Sequence, residues 1–179
     1  MQLNHCGGVM KRTPVHPINP WISNGFLAAL YLYALRKKQR LLRRVLETVL
    51  NTDIDCPIPA KLFLPHPNGI IVGTTSSLGE NVTLMHQVTL GGRDPWYTNT
   101  DLSRDYPLLE EGVYVGAGAK ILGPVKIGSW AMVGANAVVT KDVPPMHTVV
   151  GNNHLIPPSD ERIRFLRKTI KSFDAESCT

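Results

Sequence analysis

Cysteine is scarce in this chain of 179 residues, and a long apolar run is absent. The three cysteines, Cys6, Cys56 and Cys178, cannot all pair internally and have no CxxC spacing, which excludes a disulfide framework and a zinc ribbon. The longest apolar run, Phe26 to Leu35, is too short to span a bilayer, so no transmembrane segment is expected. Its basic residues follow the apolar run, whereas a secretory signal has them in front. A cytoplasmic protein is therefore expected.

Aromatic residues and charge are also sparse, at 7% and 18% of the chain, while 43% of residues are hydrophobic, as in a folded domain. The formal net charge of +5 is compatible with a nucleic acid, a membrane or an anionic small ligand. A solvated basic helix is the simpler interpretation, so no nucleic-acid partner is expected.

The sequence is rich in one feature, a six-residue repeat. Aliphatic residues recur six apart from Val115 to Val139, and a second small or apolar residue follows each by four positions. The same period runs from Val72 to Leu90 and back to Ile54. Three hexads make one triangular coil of a parallel β-helix, because each short strand buries its aliphatic residue and the next residue turns the corner. The repeat predicts a mainly β fold of about four coils.

The N-terminal region, residues 1–52, is predicted to be an irregular arm followed by a helical segment. Ser23 is the expected cap of a helix through Leu35, and residues 41–50 carry a second apolar stripe, giving one long helix or a helical pair. The basic cluster between the stripes could touch a membrane surface. Packing of the stripes against the coil is the favoured interpretation.

The coil itself is assigned to residues 53–150, and one excursion loop, residues 92–108, interrupts it. A polar and aromatic loop that breaks a strict repeat usually carries function. Residues 151–179 are predicted to form a C-terminal helix and tail. Ser159 is the expected cap of this helix, which could close the open end of the coil.

His66 is the candidate general base. It lies six residues before Val72, in the slot that aliphatic residues fill elsewhere, and burying an unpaired ring there would cost of the order of 1 kcal/mol or more. A buried structural histidine and a general base are both compatible with this position, since imidazole titrates near neutrality. Asp53 and Asp55, less than one coil earlier, are the candidate carboxylate partners. His86 is expected to face solvent.

Three segments, LPHPNGIIVG, LGENVTLMHQVTLGG and VGANAVVTKDVPP, resemble the left-handed β-helix hexapeptide acyltransferases. The resemblance is to their serine acetyltransferase branch, with its relatives in polysaccharide biosynthesis, and covers about residues 54–150. It implies a left-handed coil and O-acetyl transfer from acetyl-CoA by direct attack, with His66 taking the proton of the acceptor hydroxyl. It also implies an active site between neighbouring subunits of a homotrimer, or of a dimer of trimers.

The resemblance assigns the acetyl-CoA contacts to five positions: Gly92, Ala117, Ala135, Thr140 and Lys141. Lys141 is expected to help neutralise a CoA phosphate. The acceptor is expected at the excursion loop, where aromatic residues offer flat surfaces for a sugar ring but could equally be packing anchors. The candidate acceptor residues are Trp96, Tyr97, Arg104 and Tyr106. No metal is expected, because no histidines have the spacing of the metal-dependent β-helix lyases.

The sequence departs from the serine acetyltransferases at the acceptor side. Pro65 stands where that branch has Asp, and Tyr106 stands where it has His before Pro. The carboxylate partner of the catalytic histidine falls on Asn51 by ungapped count and on Asp53 only with a two-residue gap. These departures favour a sugar hydroxyl of a glycan or its precursor as the acceptor. Serine O-acetylation and a non-catalytic binding scaffold are the alternatives.

Overall fold

The computed structural model describes residues 16, 19, 22–92 and 105–176, with side chains up to residue 170. Three of the predicted acceptor residues, Trp96, Tyr97 and Arg104, lie outside the described residues.

The central region is a triangular coil of short strands that are parallel except for the last. The first face consists of β1 (Asp53–Ile54), β3 (Ile71–Val72), β6 (Thr89–Gly91), β9 (Lys120–Leu122) and β12 (Val138–Val139). The second face consists of β4 (Ser77–Leu78), β7 (Leu108–Leu109) and β10 (Lys126–Ile127). The third face consists of β2 (Leu62–Phe63), β5 (Val82–Leu84), β8 (Tyr114–Val115), β11 (Met132–Val133), β13 (Thr148–Val150) and the antiparallel β14 (His154–Ile156).

The register of the first face confirms the repeat. Asp53 pairs with Ile71, and Lys120 pairs with Val138, so neighbouring coils are 18 residues apart. Thr89 pairs with Lys120, 31 residues on, because the excursion loop is inserted in that coil. The mainly β, parallel architecture predicted from the sequence is confirmed, and its left-handed winding stays a prediction.

The core fills the interior of the coil with one aliphatic residue per strand. On the first face, Ile54, Val72, Leu90, Ile121 and Val139 are each at most 1% exposed. Burial of each such side chain contributes about 1.5–3 kcal/mol, so the stack of aliphatic rows is the main source of stability.

Two helices, α1 (Phe26–Arg36) and α2 (Arg40–Leu50), cover the N-terminal end of the coil. They form a pair and not one long helix, because Lys38 between them has a φ of 52°. The Tyr31 hydroxyl accepts a hydrogen bond from the Ile54 N–H at 3.2 Å, which ties α1 to β1. The favoured packing of these helices against the coil is confirmed.

The prediction that Ser23 caps α1 is wrong. The helix begins after Gly25, and no side chain caps it. Asn24 instead bonds the third face, with its amide donating to the Leu62 carbonyl at 2.9 Å and its oxygen accepting from the Leu64 N–H at 2.6 Å. This attachment holds the chain extended through position 24, which displaces the helix start.

The C-terminal helix, α3 (Asp160–Glu176), is capped by Ser159, whose Oγ accepts from the Arg162 N–H at 3.2 Å, as predicted. The helix does not close the end of the coil. Arg162 bonds Thr148 and Trp130, and Leu166 is buried, so α3 lies against the third face. This face requires cover because its outward residues, such as Phe63 and Met132, are apolar. Within the described part of the chain, every helix is too short or too polar to cross a membrane.

Candidate active site

His66 lies on an outward bulge at the corner between the third and first faces. The third face pairs Leu62 with Val82, 20 residues on, so this coil has two more residues than the first-face spacing of 18. Leu64, which is 0% exposed, fills the inward slot, and His66 is exposed. The prediction that His66 replaces an inward aliphatic residue is therefore wrong, since the two extra residues turn its ring outward.

Hydrogen bonds fix the bulge. The Thr52 hydroxyl donates to the Pro67 carbonyl at 2.7 Å and accepts from the Ile70 N–H at 3.2 Å. The Gly69 N–H donates to the Leu50 carbonyl at 2.9 Å, at a φ of 68° that favours glycine. Because Thr52 is buried at the end of α2, the helix pair positions the turn that carries His66.

An open cleft of about 1080 Å³ surrounds His66. The His86 ring meets the His66 ring edge to face, with centroids 6.0 Å apart and planes at 75°. Lys120 also lines the cleft, with Nζ donating to the Gln87 carbonyl at 2.7 Å, and Asn136 lies on the next coil. The cleft thus combines two imidazoles and one ammonium group, a set suited to proton transfer beside a developing negative charge.

The candidate carboxylates lie with Arg43 and outside this cleft. Arg43 Nη2 is 3.4 Å from Asp53 Oδ1 and 3.5 Å from Asp55 Oδ1. Asn51, the residue reached by the ungapped count, lines the cleft with His66. The structure does not bring Asp53 and His66 together, and the catalytic role of Asp53 stays a prediction.

The predicted acetyl-CoA residues divide between two corners. Gly92, Thr140 and Lys141 line a cleft of about 570 Å³ at the corner between the first and second faces, called the donor corner below. Ala117 and Ala135 lie on the corner of His66, where the Asn136 N–H donates to the Ala117 carbonyl at 2.8 Å. A single chain therefore does not bring all five residues into one site.

Tyr106 is a packing residue at the donor corner. A Cβ at Gly73 would lie 2.0 Å from Tyr106 Cε1, and one at Gly92 would lie 2.9 Å from Tyr106 Cζ. The ring therefore lies flat on these two glycines, where no larger residue fits. Its proposed contact with an acceptor stays a prediction.

Sequence reasoning missed His86, Lys120 and Thr52 as parts of the site. His86 was expected at the surface, yet it lies one coil from His66, 20 residues on, and is half-buried in the cleft. A coil count that included the two-residue bulge would have found it. Among the described residues, no three potential metal ligands come together.

Comparisons with known proteins agree with this geometry. Residues 106–141 match the family model described as bacterial transferase hexapeptide (six repeats). The serine acetyltransferase of Mycobacterium tuberculosis is 45% identical over 94 residues, which are 52% of this chain and 39% of that protein. The serine acetyltransferase of Buchnera aphidicola is 36% identical over 125 residues, 68% of this chain and 46% of that protein. The chain thus spans less than half the length of these relatives.

Solved structures give the same result. The Neisseria gonorrhoeae serine acetyltransferase in complex with serine has a TM-score of 0.56 and 37% identity, covering 72% of this chain and 51% of that one. A serine acetyltransferase in complex with CoA has a TM-score of 0.57 and 31% identity, covering 70% and 52%. The resemblance to the serine acetyltransferase-like hexapeptide acyltransferases is confirmed.

Proposed function

We propose that this chain, which is similar to serine acetyltransferases and carries the hexapeptide repeat of bacterial transferases, transfers an acetyl group from acetyl-CoA to a hydroxyl group. The observation that carries the proposal is the fixed, outward His66 at the mouth of a cleft with His86 and Lys120. Residues 53–150 would hold the catalytic coil, and the two terminal regions would cover it.

The reaction needs one proton shuttle and no covalent enzyme intermediate. His66 removes the proton of the acceptor hydroxyl as its oxygen attacks the thioester carbonyl. The tetrahedral oxyanion then collapses, the C–S bond breaks, and the CoA thiolate takes the proton from the imidazolium. Lys120 brings positive charge to the cleft where the oxyanion forms.

The division of the predicted acetyl-CoA residues supports a homotrimer. In a closed ring the donor corner of one subunit can face the His66 corner of the next, which would complete the site. The number of trimers and a cytoplasmic location stay predictions.

Two acceptors are candidates. Free serine is favoured by the names of the relatives and by the solved complex of one of them with serine. A carbohydrate hydroxyl is favoured by the local departures, Pro65 and Tyr106, of which Tyr106 is packed on glycines. Saturable acetylation of free L-serine, compared with a panel of sugars, separates the two.

The first prediction concerns His66→Ala. Loss of the general base should lower the rate of CoA release with an acceptor by roughly a hundredfold or more. The coil should remain folded, because the His66 side chain is exposed and Leu64 fills the core. The measurement is thiol release from acetyl-CoA, with circular dichroism as a check on folding.

His154→Gln is the matched control, since it changes an exposed histidine on β14 and should keep the wild-type rate. An unchanged rate for His66→Ala would remove His66 from the mechanism. Absence of transfer to any hydroxyl by the wild type would favour a binding scaffold.

A further inference from the structure

His66 also lines a second cavity, of about 620 Å³. This cavity, called the side cavity below, lies between the third face, α3 and the described N-terminal residues His16, Asn19 and Ile22. Its wall is mainly apolar, with partly exposed side chains from successive coils. These include Met85, Tyr114, Met132 and Phe165.

One fixed cation lies in this apolar wall. Arg162 Nη1 donates to Thr148 Oγ1 at 2.7 Å, and Nη2 donates to the Trp130 carbonyl at 3.1 Å. Burial lowers the pKa of Arg162, which shows that its charge is partly desolvated. Among the described residues, no carboxylate forms an ion pair with it. A guanidinium held in this way has donors left for a carboxylate.

The same wall carries a strained residue. Trp130 has a φ of 60°, a conformation that is costly for a bulky side chain and that clusters at binding sites. Its ring lies over Gly112, where a Cβ would be 2.2 Å from Trp130 Cε3. The Gly112 and Trp130 pair therefore shapes the cavity wall at a conformational cost.

The dimensions of the side cavity exclude a ligand as small as serine from contacting both ends. His66 is on the coil of β2, whereas Trp130 is on the coil of β11, three coil spacings away. At about 4.8 Å per spacing, these two ends are about 14 Å apart. Three bonds separate the hydroxyl oxygen of serine from its carboxyl carbon, so it cannot reach His66 and Arg162 together.

We propose that the side cavity binds the acceptor, and that the acceptor is an elongated carbohydrate with a carboxylate group. The carboxylate pairs with Arg162, the apolar faces of the sugar rings pack on Tyr114 and Met132, and a hydroxyl lies at His66. This inference rests on the proposed acetyl transfer and selects the carbohydrate from its two acceptors.

The test compares acidic and neutral probes by titration calorimetry with the full chain and no acetyl-CoA. Trigalacturonate is the acidic probe and maltotriose the neutral one. Arg162→Gln should weaken trigalacturonate binding by about tenfold or more, as expected for loss of a hydrogen bond to a charged group, and maltotriose binding by less than about twofold. Arg162→Lys, which keeps the charge, should lose less.

Arg164→Gln is the matched control, because it removes the same charge from an exposed position of the same helix and should leave both affinities unchanged. Retained maltotriose binding shows that the Arg162→Gln protein keeps its cavity. Equal loss in the two Gln variants, or no trigalacturonate binding by the wild type, would overturn the assignment.

Failure of this inference differs from failure of the proposed function. Transfer to serine that needs His66 and ignores Arg162→Gln would leave the activity and remove the side cavity from it. Binding of trigalacturonate that depends on Arg162, without any acetyl transfer, would leave the cavity assignment and remove the activity.

Discussion

At the residue scale, the corner that precedes the third face shows how one bulky side chain sets the requirements of its neighbours. Asn81, Gly112, Trp130 and Met146 occupy this corner on successive coils, each with positive φ. Asparagine and glycine tolerate this conformation, whereas tryptophan does not. Trp130 therefore occupies a strained position, and its ring needs the space that the absent Cβ of Gly112 provides.

Gly112→Ala should accordingly be more destabilising than an ordinary glycine substitution in the coil. The left-handed φ costs an alanine roughly 1–2 kcal/mol, and the contact with Trp130 adds overpacking of about 1–3 kcal/mol. Gly151→Ala is the matched control, since its φ is also positive but nothing lies within 4 Å of the added Cβ. The free energies of unfolding from denaturant titrations should differ by the overpacking cost.

A Trp130→Ala background should bring the cost of Gly112→Ala down to that of Gly151→Ala. Equal costs for the two substitutions in the wild-type background would show that the Trp130 ring moves away freely.

The position of His66 shows what a period can and cannot predict. The interval from His66 to Val72 is six residues, which fits the repeat, yet Leu64 holds the inward slot. A two-residue insertion between Leu64 and Val72 leaves the phase of every later hexad unchanged. The period alone therefore identified the right residue for catalysis but placed it on the wrong side of the wall.

At the scale of elements, the third face depends on a cover built from both ends of the chain. His16 is 5% exposed, and its ring contacts Phe63 at 5.1 Å and Trp130 at 6.5 Å between centroids. Burial lowers the pKa of His16, and a hydrogen bond with the Asn81 backbone offsets only part of that effect. The neutral ring is thus the form that fits between the N-terminal residues and the coil.

Acidification should therefore destabilise this cover. The unfolded chain binds a proton at His16 near pH 6.5, above the folded pKa, so it holds more protons than the folded chain in between. Stability from the neutral ring is complete above about pH 6.5 and falls as the pH drops below it. Denaturant midpoints of the wild type should fall between pH 7.5 and pH 5.5, and His16→Leu should show a smaller fall.

His154→Gln, on exposed β14, should keep the wild-type pH dependence. The same fall in the wild type and in His16→Leu would assign the acid sensitivity to another group.

The elements themselves were predicted with uneven success, for a physical reason. The coil and the excursion loop follow from the repeat, because each hexad determines one strand and one corner. The Ser159 cap of α3 is equally local. The start of α1 and the place of α3 depend on partners distant in sequence, Leu62 for Asn24 and Thr148 for Arg162, which no local pattern encodes.

At the scale of the whole molecule, the two corners that carry the predicted chemistry face different directions. His66, His86 and Lys120 lie on one corner, and Thr140 and Lys141 lie on the donor corner. A triangular cross-section places these corners apart within one chain but side by side in a ring of identical subunits. The proposed homotrimer thus makes each site from two chains.

Mixed oligomers test this arrangement. His66→Ala removes the base, and Lys141→Trp fills the donor corner from an exposed position. When the two variants are co-expressed in equal amounts, about one interface in four should combine two intact halves, giving about a quarter of the wild-type rate. The measurement is thiol release from acetyl-CoA by the purified mixture.

The control places both substitutions on one chain and co-expresses it with the wild type. A shared site again predicts about a quarter of the wild-type rate, because each interface still draws its halves independently. A site contained in one chain predicts no activity for the separated variants and about half for the combined one. These two patterns do not overlap, so the pair of mixtures decides whether acetyl transfer belongs to the subunit or to the ring.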